Sequence, residues 1–118
     1  MPYLKIETNK LIEKSVEEKL LKKTSAFTAL LLNKPEKWIM VSILHSVPML
    51  FDGSTQPTAY LELKSIGLEQ QKCAELSDKL CAFVRVELGI SPDRVYIEFW
   101  DINGKMFGWN GGTFSKKL

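Results

Sequence analysis

Leu88-Gly89-Ile90-Ser91-Pro92-Asp93-Arg94-Val95-Tyr96-Ile97-Glu98-Phe99-Trp100-Asp101 places a helix end directly before a strand, and its reading decides the fold. Gly89 tolerates the left-handed backbone that closes a helix, and Pro92 cannot continue one. From Arg94 to Asp101, Val95, Ile97 and Phe99 alternate with Tyr96, Glu98 and Trp100, the period of a two-faced strand. Upstream, Cys73, Leu76, Leu80, Phe83 and Leu88 keep a helical period over residues 68–88. Before that helix, Pro57 to Ile66 reads as a strand with Ala59, Leu61 and Leu63 on one face. The segment is therefore a β-α-β unit.

Shifting the frame back by 56 residues repeats the plan. Leu76 falls on Leu20, Phe83 on Phe27, Leu88 on Leu32 and Gly89 on Asn33, while Val95, Ile97 and Phe99 fall on Ile39, Val41 and Ile43. Tyr3 to Thr8 alternates as a half-buried strand. Ser15-Val16-Glu17-Glu18 reads as a capping box that opens a helix. Val16, Leu20, Phe27 and Leu31 give that helix its apolar stripe, and Asn33 with Pro35 ends it. Trp38 to Leu44 is nearly all apolar and short, which predicts a buried strand. Phe51 to Gln56 is the turn between the units. The expectation is an α+β fold: a tandem β-α-β repeat forming a four-stranded mixed sheet, right-handed crossovers, and two helices on one face. It treats residues 1–118 as a single domain, with pseudo-repeats at 2–50 and 57–101 and a C-terminal arm at 102–118.

Composition narrows the function classes. A chain of 118 residues that is 45% hydrophobic can bury one core, so disorder is excluded. Sixteen Lys and Arg against fourteen Asp and Glu leave a net charge of +2, too even for a nucleic-acid partner. No apolar run approaches the roughly 20 residues of a membrane span, so membrane insertion is not expected. The charged start, Met1-Pro2-Tyr3-Leu4-Lys5-Ile6-Glu7, is unlike a signal peptide, and the expected location is the cytoplasm. Cys73 and Cys81 form no CxxC and read as small core hydrophobes, so neither zinc nor a redox pair is indicated.

With two helices covering one sheet face, the other carries Tyr3, Tyr60, Tyr96 and Trp100, too apolar to leave wet. Both sheet edges are also open. Packing between subunits resolves both problems, and the Gly-rich arm around Gly108-Trp109-Asn110-Gly111-Gly112-Thr113-Phe114 can extend a neighbour's edge.

Few side chains suggest chemistry. Pro2 follows a removable Met, and a freed secondary amine in an apolar place is a base poised near neutrality. It can equally just begin an edge strand, where no N–H is needed. Lys34 either complements a helix C-terminus or binds an anion. Tyr96 and Trp109 either line a pocket or fill an interface. His45 has no acidic partner nearby in sequence and reads as a solvent-tipped strand residue, while Lys116-Lys117 reads as a solvated tail.

These residues fall into one pattern. Met1-Pro2, Asn33-Lys34-Pro35, Ser65-Ile66-Gly67, Ile90-Ser91-Pro92-Asp93-Arg94-Val95-Tyr96-Ile97 and Gly108-Trp109-Asn110-Gly111-Gly112-Thr113-Phe114 occur in order. Together they resemble the macrophage migration inhibitory factor family of the tautomerase superfamily over essentially the whole chain. The resemblance implies a homotrimer and a keto–enol tautomerase of the phenylpyruvate or dopachrome type, acting on aromatic keto acids or enols. Pro2 would be the catalytic acid/base after Met removal, and Lys34 with the backbone N–H of Ile66 would hold the substrate's oxygen. Tyr96 would come from the neighbouring subunit, and Trp109 would line the pocket. No metal or organic cofactor is implied, because the proton moves between carbon and oxygen. The alternative implied is a cytokine-like protein that binds a protein receptor and leaves cells without a signal peptide, with weak or vestigial catalysis.

Three positions depart from the family. Glu98 stands where animal members commonly carry Asn, Trp100 where Tyr is frequent, and Phe107 where a small aliphatic is usual. Glu98 would pair with Lys34, repel an anionic substrate, or simply face solvent, while Trp100 and Phe107 would reshape the pocket. Thr58-Ala59-Tyr60-Leu61 occupies the place of the family's CxxC, so no thiol-oxidoreductase role follows.

Overall fold

A computed structural model describes residues 1–116 of the chain; the tail expected at Lys116-Lys117 lies outside its described side chains. Strands β1 (Tyr3–Thr8), β2 (Met40–Leu44), β3 (Ala59–Ile66) and β4 (Val95–Ile102) form one sheet in the order β2-β1-β3-β4. Helices α1 (Lys14–Leu32) and α2 (Cys73–Leu88) connect β1 to β2 and β3 to β4. Each of those strand pairs is parallel, while β1 and β3 run antiparallel, giving the mixed sheet expected from the repeat. Among the described residues, no helix is long and apolar enough to cross a membrane.

Alternation along the strands sorts the faces. Leu4, Ile6, Ala59, Leu61, Leu63 and Val95 point to the side covered by Leu20 of α1 and by Leu76, Leu80, Val84 and Leu88 of α2. Fully burying a Leu such as Leu80 contributes roughly 1.5–3 kcal/mol, so this layer dominates the core. Phe27 and Phe83, equivalent positions of the two units, stack at 4.2 Å where the helices meet. Both helix stops are as expected: Asn33 (φ 53°) and Gly89 (φ 68°) take the left-handed conformation and return their N–H groups to the last helical turn. Lys10 donates to the carbonyl of Leu88 at 2.7 Å, adding a cation to the C-terminus of α2.

Other expectations fail for physical reasons. The capping box does not form: α1 already starts at Lys14, after Glu13, with no side-chain cap. Glu18, the acid of that box, faces Lys22 at 3.3 Å. Glu17 bonds the His45 ring, whose Nδ1 accepts from the Ile12 N–H, so His45 ties α1 to the end of β2 and is not solvent-tipped. The apolar stripe of α1 is also incomplete, with Val16 43% exposed and Thr24 and Thr28 fully buried. Those threonines are tolerated because each hydroxyl donates to the carbonyl four residues earlier, at 2.7 Å. β2 is an edge strand with Met40 and Leu44 exposed, and Trp38 lies before it in a 3₁₀ turn, so the expected buried strand over 38–44 is corrected. α2 begins at Cys73, after a 3₁₀ turn at Gln70–Lys72.

The second sheet face is more polar than expected. Lys5, Glu7, Glu62, Lys64 and Glu98 share it with Tyr3, Tyr60, Tyr96 and Trp100. Lys5 approaches Glu7 at 3.8 Å and Lys64 approaches Glu62 at 3.7 Å. The Gly-rich arm folds back as a hairpin of β5 (Gly108–Trp109) and β6 (Gly112–Thr113), and buried Phe114 closes it against the chain's own Trp38.

Candidate functional site

The site forms where the start of β1, the turn before β2 and the C-terminal hairpin converge. Pro2 precedes the first residue of an internal strand, so the edge-strand reading of this proline does not apply. Its carbonyl accepts the N–H of Met40 at 3.0 Å, and its side chain is fully buried. A cavity of about 210 Å³ opens beside it, lined among others by Met1, Pro2, Tyr3, Lys37, Trp38, Phe107 and Trp109. Trp38 meets Trp109 edge-on at 4.9 Å and Phe114 at 5.5 Å, while Trp109 and Phe114 stack at 5.8 Å. Each such contact adds about 0.5–1.5 kcal/mol beyond burial, which fixes the aromatic wall.

Lys34 approaches the same end of the sheet from the stop of α1. Its Nζ donates to Ser65 Oγ at 3.1 Å and to the Ile66 carbonyl at 3.0 Å. The Ile66 N–H, expected to hold a substrate oxygen together with Lys34, belongs to the residue whose carbonyl Lys34 engages. Burial lowers the pKa of Lys34. The Met1 amine is pushed down to about 6, first by burial and then by the Lys34 charge, so the amino terminus and Lys34 sense each other. In the chain with Met1 attached, the Pro2 nitrogen is an amide without a basic lone pair.

Asp101 holds the turn beyond Ile66. Its Oδ1 accepts from the N–H groups of Gly67 and Leu68 at 3.1 and 3.2 Å. Gly67 has φ 78°, a conformation that costs glycine little and other residues much. Ser65, Asp101, Trp38 and Phe114 belong to this neighbourhood and were not singled out from the sequence as site residues. The aromatic residue a few positions past the α1 stop was the available signal for Trp38.

Of the expected residues, the structure gathers Pro2, Phe107 and Trp109 at the cavity, with Lys34 and Ile66 adjoining. Tyr96, Glu98 and Trp100 lie elsewhere on the open sheet face. The pairings Tyr3–Lys64 and Ser65–Asp101 put Pro2 in the Asp101 row, five residues along β4 from Tyr96. At about 3.3 Å per residue that is roughly 17 Å, too far for both to touch one small substrate within one chain. Tyr96 is 66% exposed and packs edge-on against Phe51 at 4.8 Å. Glu98 accepts from the Tyr60 hydroxyl at 2.7 Å, where it has Tyr60 and not Lys34 as its partner. That bond is the largest cause raising the Tyr60 pKa, ahead of desolvation and Glu62. Lys64 sits 5.4 Å over the Trp100 ring. Among the described residues, no group of three His, Cys, Asp or Glu side chains is arranged to hold a metal.

The profile of the family described as Macrophage migration inhibitory factor (MIF) matches residues 1–115. The chain is 37% identical over 116 residues to the macrophage migration inhibitory factor of Meriones unguiculatus, covering 98% of this chain and 100% of that protein. It is 38% identical over 115 residues to a macrophage migration inhibitory factor homolog of Brugia malayi, covering 97% and 99%. A crystal structure of the homologue from Prochlorococcus marinus superposes with a TM-score of 0.87 at 40% identity, covering 96% of this chain and 99% of that one.

Proposed function

Because the chain belongs to the macrophage migration inhibitory factor family, which supports a tautomerase or cytokine-like function in general, we propose that it is a keto–enol tautomerase using the amine of Pro2. The carrying observation is the buried Pro2 ring and the half-buried amino terminus ahead of it, which lines an aromatic cavity and feels the charge of Lys34. After Met removal, the Pro2 nitrogen takes a proton from the carbon next to an aromatic keto acid's carbonyl. Lys34 holds the oxygen on which charge develops, and the protonated amine then delivers the proton to that oxygen. The substrate class is an aryl keto acid such as phenylpyruvate, or a dopachrome-type compound, with Trp38, Phe107 and Trp109 around the ring.

The separation of Tyr96 from Pro2 supports a site shared between subunits of a homotrimer, in which a neighbour's Tyr96, Glu98 and Trp100 complete the pocket. A cytokine-like, receptor-binding role is the second reading, supported by the name its curated relatives carry.

The pH profile tests the first reading. Burial and Lys34 lower the Met1 amine from 8.0 to about 6, and the same causes act on a freed Pro2 nitrogen. A base works in its neutral form, so kcat/KM for phenylpyruvate on processed protein should rise with pH and level off before pH 8.0. A profile still climbing above pH 9, where an ordinary α-amine is already neutral, would exclude a desolvated Pro2 base.

A further inference from the structure

The turn that leaves β3 holds one peptide unit between two opposite charges. The Ile66 carbonyl accepts from Lys34 Nζ at 3.0 Å, and the Gly67 N–H, part of the same unit, donates to Asp101 Oδ1 at 3.1 Å. A trans peptide is planar and its N–H and C=O point opposite ways, so fixing one fixes the other. The sheet places Asp101 for this. It pairs in register with Ser65, each one residue before the end of its strand, and its carboxylate reaches the N–H groups just past Ile66. A second bond, from the Leu68 N–H at 3.2 Å, keeps that carboxylate over the turn. Gly67, at φ 78°, is the residue type that lets the peptide take this orientation. A negative group on the N–H and a positive group on the C=O polarise the peptide in the same sense, which strengthens both bonds. Neither Lys34 nor Asp101 enters an ion pair among the described residues, and this peptide connects them.

A lysine ammonium has three N–H donors. Ser65 Oγ and the Ile66 carbonyl take two of those on Lys34, at 3.1 and 3.0 Å, which leaves the third for an incoming oxygen. We propose that Asp101 is a positioning residue of the site: through the peptide between Ile66 and Gly67 it aims the Lys34 ammonium at the substrate's oxygen. Asp101 itself touches no substrate. The catalytic consequence rests on the tautomerase reading; the aiming of Lys34 does not. The carboxylate is exposed, so water competes for both N–H groups. Its loss should therefore cost about tenfold in kcat/KM, against roughly 10²-fold or more for loss of an oxyanion donor itself.

Two readouts on full-length, Met-processed protein separate these claims: titration of the Lys34 side chain, followed by NMR at its ε-carbon, and phenylpyruvate turnover. Asp101→Ala should move the Lys34 titration to lower pH, because the charged form loses an aligned carbonyl acceptor, and should lower kcat/KM about tenfold. Asp101→Asn keeps an oxygen facing the Gly67 and Leu68 N–H groups. It should leave the Lys34 titration in place and kcat/KM within about twofold of the wild type. In a Lys34→Met background, Asp101→Ala should cost nothing further, since its effect passes through Lys34. A wild-type Lys34 titration in Asp101→Ala, an Asn variant as impaired as Ala, or a second tenfold loss in the Lys34→Met background would overturn the assignment. A Lys34 titration that follows Asp101 in a protein without turnover keeps the positioning role and removes the tautomerase; turnover with an unmoved titration does the reverse.

Discussion

Replacing Pro2 with Gly is expected to lower kcat for phenylpyruvate by about 10²-fold, the lower end of what a positioned acid/base contributes. The variant still ends in an amine after Met removal, so the loss measures placement more than basicity. The Pro2 ring is fully buried and fixes φ, which aims the nitrogen at one spot beside the cavity. Gly frees the terminus to sample many directions and lets water reach the amine, which weakens the desolvation that favours its neutral form. Stopped-flow or ultraviolet assays of processed protein give the number directly. Turnover at the wild-type level would show that the base lies elsewhere.

Arg94→Met should lower the unfolding free energy by about 3 kcal/mol, the largest stability effect expected from a single polar side chain in this fold. The guanidinium donates to four carbonyls: Nε to Pro57 at 2.9 Å, Nη1 to Phe51 at 3.0 Å, and Nη2 to Ser54 at 3.1 Å and Gln56 at 2.9 Å. It also lies 5.2 Å over the Phe51 ring, the ring that packs against Tyr96. One residue thus closes the whole turn between the two β-α-β units. Removing it leaves several carbonyls facing a hydrocarbon stem. Arg94→Lys should recover little, because a single ammonium cannot span four acceptors in a fork. Urea unfolding at fixed protein concentration checks this, and a loss below about 0.5 kcal/mol would mean that water replaces all four bonds.

Arg94 also shows what kind of information the sequence held. The run Ser91 to Ile97 carried the family resemblance, yet Arg94 within it is scaffolding, and its partners are backbone carbonyls that no pattern displays. The helix stops at Asn33 and Gly89 were legible because left-handed backbone demands particular residue types. The sheet was legible from the repeated alternation. β2 was not, since a short apolar run reads the same at the centre of a sheet as at its edge. The start of α1 was not legible because the helix opens one residue before Ser15, after Glu13 and with no side-chain cap, and Glu18, the acid of the expected box, faces Lys22. Within the site, the base proposed at Pro2 is a backbone nitrogen, which composition does not register. Trp38, Trp109 and Phe114 come together only when the hairpin folds back, and that contact leaves no period in the sequence.

The catalytic claim reduces to one atom, the Pro2 nitrogen, and to whether it carries a free lone pair. Phenylpyruvate turnover should therefore be compared between Met-processed protein and the same chain carrying one additional residue ahead of Pro2, at matched oligomeric state. The extension keeps the ring, the cavity and Lys34 but converts the amine into an amide. Turnover by the processed chain and a fall of about 10²-fold or more in the extended one is the expected result. Equal turnover by the two would contradict catalysis by the N-terminal proline.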